Sequence, residues 1–174
     1  MVLMNNRVRD DNMEQHRFHP AVAILVPLIA VFFQAYLPLR FPRFAVLDLP
    51  LIITVYFSVS RRNPISGTFL GTGIGILQDA LTHLPLGING VIKALVGYLA
   101  ASIGMRIDVD NPGTRLMMMF FFSLLSSLLH VFIVRHLLDM AQAWYFLHEF
   151  IRALVNSLVA IILFALLDRL RKRE

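Results

Sequence analysis

Cysteine is absent from all 174 residues, which excludes disulfides, thiolate chemistry and cysteine-rich metal sites. Charge is scarce: 16% of the residues are Asp, Glu, Lys or Arg, against roughly 25% in a water-soluble domain. The six histidines show no metal-ligand spacing such as HExxH. No Ser/His/Asp set, nucleotide-binding loop or paired-carboxylate arrangement is readable. The sequence therefore argues against an enzyme and offers no site for a cofactor or a metal.

What the chain has instead is apolar length. Hydrophobic residues make up 57% of it, and its mean hydropathy is +0.69. This composition fits an all-α polytopic membrane bundle, with lipid as its solvent and its constant partner. The net charge of +5 raises nucleic acid as a partner, but the arginines sit at helix ends rather than on one face. Membrane topology explains them, and no nucleic acid is expected.

Residues 1–19 are polar and mixed in charge, which predicts a cytoplasmic tail and no cleavable signal peptide. A single six-helix transmembrane domain follows over residues 20–168, with spans near 20–39, 44–59, 65–82, 86–105, 114–134 and 150–167. The first span contains Pro27 and the polar Gln34. The second is short at about 16 residues, against the usual ~20. Pro64 suits the first turn of the third. The fifth is rich in Met and Phe, and Trp144 and Tyr145 are interface anchors in the connection that follows it. Residues 169–174 form a basic C-terminus.

Six spans put both termini on one side. Arg7, Arg9 and Arg17, then Arg61 with Arg62, Arg106 with Arg115, and the terminal cluster fall on that side. Arg40, Arg43, Arg135 and Arg152 fall on the other. The positive-inside rule then predicts that both termini are cytoplasmic. The terminal cluster also suits contact with anionic lipid.

The stretch from Gly67 to Tyr98 organises the rest, as two apolar helices with a break at 83–86. Gly67, Gly71 and Gly75 recur every four residues and share one helix face, a row that lets another backbone approach closely. The helix they pack on belongs either to this chain or to a partner. Asp79 continues the row. If the hairpin turns near Leu86, Asp79 and Lys93 lie at matching depth, each ~10 Å below the turn. An isolated charge there is costly, so a mutual ion pair is expected. Such a pair either pins the hairpin or serves transport or signalling. Ser123, Ser127 and His130 line one side of the fifth span, and Glu149, Arg152 and Asn156 one side of the sixth. Together with Gln34 these predict polar contacts inside the bundle, and His130 is also the candidate for a proton path.

The run Gly67, Gly71, Gly75, Ile76, Leu77, Gln78, Asp79, then Pro85, Leu86, Gly87, Ile88, Asn89, then Val96, Gly97, Tyr98, Leu99 resembles the signature of the bacterial rod shape-determining protein MreD family. Gln34 with Pro38, Asp48 with Leu49 and Pro50, Tyr56, and Asn156 with the basic tail are similar to that family too. The resemblance covers most of residues 20–173 and is specific around 67–99. Two features depart from it. The fifth span carries no family mark, and Lys93 stands where a small or hydroxyl residue is expected.

What the resemblance implies is a non-enzymatic inner-membrane scaffold and regulator of the cell-elongation machinery, controlling peptidoglycan synthesis and rod shape. It would bind the single transmembrane helix of an MreC-like protein. Directly or through that complex it would reach MreB, RodA and a penicillin-binding transpeptidase. Gly87 and Asn89 join the glycine row as packing or partner-interface candidates. The family also looks like the substrate-binding subunits of energy-coupling-factor transporters. A small-molecule-binding transport subunit is therefore the alternative, and it requires a polar pocket at the outer side.

Overall fold

The computed structural model describes residues 20–82, 85–107, 109, 111–136, 138–139 and 145–169. The expected tail 1–19, most of the basic terminus and Trp144 lie outside them. The described residues form six α-helices: α1 (Pro20–Arg40), α2 (Leu49–Arg61), α3 (Pro64–Thr82), α4 (Ile88–Gly104), α5 (Pro112–His136) and α6 (Phe146–Asp168). A 3₁₀ turn, Pro42–Val46, leads into α2. Ala21–Arg40, Pro42–Arg61, Pro112–His136 and Phe146–Asp168 are long and apolar enough to cross a membrane by themselves. The shorter α4 is apolar, and α3 dilutes its apolar residues with Gly, Thr, Gln and Asp. The fold is a polytopic membrane helix bundle.

Helix α2 is its axis. Every residue from Pro50 to Ser60 is buried, and α2 touches α1, α3, α4, α5 and α6. A helix surrounded by protein need not match the hydrocarbon thickness, which accounts for its 13 residues. Asp48 caps it, its side chain accepting from the Leu51 amide, with Pro50 in the first turn. The outer helices turn large side chains outward: Ile29, Phe33 and Leu39 on α1 and Ile162 and Leu166 on α6 are exposed, as lipid-facing residues are. Pro27 lies within a continuous α1.

The most extensive helix contact is between α3 and α4, and the glycine row makes it. A Cβ added to Gly67 would strike the Gly97 carbonyl; one on Gly71, the Lys93 carbonyl; one on Gly75, the Asn89 carbonyl. Steps of four on each helix match, so the two backbones lie against each other along the row. The glycine face is thus filled from within the chain.

At the C-terminal end of α6, Tyr56 Oη donates to Asp168 Oδ1 at 2.9 Å, and Arg115 Nη1 donates to Asp168 Oδ2 at 2.6 Å. Arg115 Nε also donates to the Val109 carbonyl, and its guanidinium lies 5.8 Å from the centre of the Phe164 ring. These contacts tie α2, α5 and α6 together where Arg115 was expected only as a topology signal.

Candidate functional site

Irregular backbone at membrane depth has no water to satisfy it, so side chains must do so. The approach to α2 shows how. Gln34 of α1 donates through Nε2 to the Leu47 carbonyl at 2.9 Å and accepts from the Leu49 amide through Oε1 at 3.1 Å. Asn156 of α6 accepts from the Asp48 amide at 2.9 Å and donates to Ser123 of α5 at 3.1 Å. Two helices therefore hold the start of α2 through amide side chains, and Asn156, steadied by Ser123 of α5, is fully buried.

Lys93 reaches the same point from α4. Its Nζ lies 3.4 Å from Asp48 Oδ2 and 3.4 Å from Asn89 Oδ1, and the side chain is fully buried. The expected ion pair with Asp79 is not what forms. The glycine register is the reason: it places Lys93 opposite Gly71, eight residues from Asp79, or ~12 Å along the helix. The hairpin therefore turns earlier than an axis at Leu86 requires.

Asp79 instead serves the start of α4. It accepts from the Gly87 amide at 2.9 Å, the Asn89 amide at 3.1 Å and Asn89 Nδ2 at 2.7 Å. A carboxylate at a helix N-terminus satisfies unpaired donors and meets the positive end of the dipole. Gly87 takes φ +103°, which suits glycine, with open space beside it. Asn89 links the two charged centres: its amide nitrogen serves Asp79 and its oxygen lies toward Lys93. A buried chain thus runs Asp48, Lys93, Asn89, Asp79 across α2, α4 and α3.

Beside it lies a cavity of about 170 Å³, lined by Asp48, Leu51, Gln78, Asn89, Ser123, Ser126, Ser127, His130 and Arg152. Five helices meet there. Glu149 accepts a hydrogen bond from Ser127, and Arg152 stands 3.8 Å from Glu149. The structure thus brings His130, Arg152, Asn89 and Asp48 to one wall, while Gly67, Gly71 and Gly75 stay in the dry α3–α4 contact. Among the described residues no group of three His, Asp or Glu could hold a metal ion.

Asp48, Gln78 and Ser126 belong to the site without having been singled out for it. Asp48 was visible as an N-cap, an Asp two residues before a proline. Gln78 stands in the run that carries the family resemblance, and nothing in the sequence marks Ser126 apart from polarity.

A family model described as rod shape-determining protein MreD matches residues 16–173. The chain belongs to the MreD family. No curated protein and no solved structure matched it. Membership makes this a rod-shape-determining, multi-pass inner-membrane protein. The family is one of shape-determining structural membrane proteins. The buried chain from Asp48 to Asp79 coincides with the residues that carry the family resemblance, apart from Lys93.

Proposed function

We propose that the protein is a non-enzymatic scaffold of the cell-elongation machinery that binds the transmembrane helix of an MreC-like single-span protein and helps regulate peptidoglycan synthesis. The observation that carries this reading is the family match over residues 16–173. MreB, RodA and a penicillin-binding transpeptidase join directly or through that complex, with both termini in the cytoplasm. The transmembrane domain spans residues 20–168. The partner helix seats elsewhere than on Gly67, Gly71 and Gly75, because α4 already fills that face. In this reading Asp79 and Asn89 act by fixing the hairpin, not by touching a partner.

The test is affinity purification of the tagged native protein in mild detergent, with mass spectrometry of what accompanies it. Recovery of a single-span periplasmic coiled-coil protein and wall synthases is the expected result. The polar cavity favours one alternative, a small-molecule-binding subunit of an energy-coupling-factor type transporter. Recovery of an ATPase pair instead would overturn the scaffold reading in its favour.

A further inference from the structure

Several of the polar groups on the cavity wall have nothing to bond within the described residues. Gln78 is 7% exposed; its Oε1, an acceptor, is buried without a partner, and its Nε2, the donor, makes no hydrogen bond among the described residues. Ser126, equally buried, makes no hydrogen bond through its hydroxyl among the described residues, and His130 makes none through its ring. Arg152 has five donors, yet its ion-pair partner is Glu149 at 3.8 Å, beyond hydrogen-bond length. Glu149 is held at that distance while it accepts from Ser127.

The wall also holds a carboxylate, Asp48, but both its oxygens are engaged. Oδ1 accepts from the Leu51 amide at 3.0 Å, and Oδ2 faces Lys93 at 3.4 Å. The free hydrogen-bonding capacity therefore consists of Arg152, whose charge already faces Glu149, together with Gln78, Ser126 and His130. At ~30 Å³ per molecule of liquid water, the volume corresponds to about six waters. Polar space of that size calls for an occupant.

We propose that this cavity binds a small oxyanionic group, a carboxylate or a phosphate. Arg152 is the charge partner, and Gln78, Ser126 and His130 supply the surrounding hydrogen bonds. The guanidinium offers paired N–H donors that fit such a group in two-point contact. The serine hydroxyl and Gln78 Nε2 donate to its remaining oxygens. The same chemistry is presented by a soluble anion and by the headgroup of an anionic phospholipid. The site stands apart from the scaffold reading, since anion binding and partner recovery are separate measurements.

The experiment uses the purified full-length protein in neutral detergent. Thermal unfolding is followed while acetate, inorganic phosphate or glycerol 3-phosphate is titrated against chloride at equal ionic strength. In parallel, native mass spectrometry counts lipid retained from nanodiscs of phosphatidylcholine with and without phosphatidylglycerol. A saturable stabilisation by a soluble anion, weakened at least tenfold in Arg152→Gln, supports the site with a soluble ligand. One phosphatidylglycerol retained by wild type and lost in the variant supports it with a lipid ligand. If Arg152→Gln does not accumulate, Ser126→Ala and Gln78→Leu serve, because neither side chain gives up a partner among the described residues. No saturable response to any anion or lipid, or one unchanged in all three variants, overturns the proposal.

Discussion

The α3–α4 hairpin and the α5–α6 hairpin solve the same problem in opposite ways. In the first, Gly67, Gly71 and Gly75 bring two backbones into direct contact, and Asp79 has three hydrogen bonds from the helix it caps. The second meets through bulky groups, with the Phe120 and Phe150 rings 5.3 Å apart, and leaves the serine stripe of α5 facing a cavity. Lipid does not drive helices together as water does, so close backbone contact must supply cohesion. Where cohesion is already supplied, the bundle can keep polar space open beside it. The first hairpin is thus the rigid wall, and the second the side on which a ligand finds unused bonds.

Substitutions should break that contrast in order of severity. Gly71→Leu should remove the folded state altogether, since even a Cβ there strikes the Lys93 carbonyl. Gly73→Leu on the same helix, where an added Cβ meets nothing, should stay close to wild type. Size-exclusion profiles in detergent compare them, and a monodisperse Gly71→Leu protein would count against the tight-hairpin account.

Lys93→Met leaves the Asp48 carboxylate buried without its cation, which should cost ~3–5 kcal/mol. Adding Asp48→Asn should restore much of that loss in denaturant titrations. A double variant no more stable than Lys93→Met would show that the pair is not the reason. Asp79→Asn keeps the shape and one acceptor oxygen but loses the charge-assisted bonds to Gly87 and Asn89. A loss of ~1.5–3 kcal/mol is expected, smaller than for Lys93→Met, and a reversed order would sink the capping role.

Ser126→Ala is the smallest change, within ~0.5 kcal/mol of wild type, because the hydroxyl has no partner to lose among the described residues. A large loss in unfolding measurements would mean that Ser126 is structural and the second hairpin is as tightly matched as the first.

Much of this architecture was readable in advance. Six apolar segments were visible, and Pro64 marked the first turn of α3. The shortness of the second segment was visible as well, but not its cause, because nothing local says that α2 is enclosed by five other helices. Asp79 and Lys93 stood out as charges in apolar surroundings, yet their pairing was misassigned. The error lay in the position of the turn, which hydropathy places poorly and the glycine contacts fix. The transport alternative required a polar pocket at the outer side. Polar space opens between helices, on residues such as Ser126 and Gln78 that face groups tens of residues away along the chain.

By itself, then, the sequence determined the solvent, the helix count and the rule that polar groups must find partners. Lipid enforces these on every segment separately, through apolar length and the cost of an unpaired group. Only the tertiary structure decided which partner each group found. Asp48 joined Lys93, Asp79 joined the start of α4, and Arg152 was left short of bonds. These outcomes depend on helix register and on side chains distant along the chain, where a shift of two turns exchanges one partner for another.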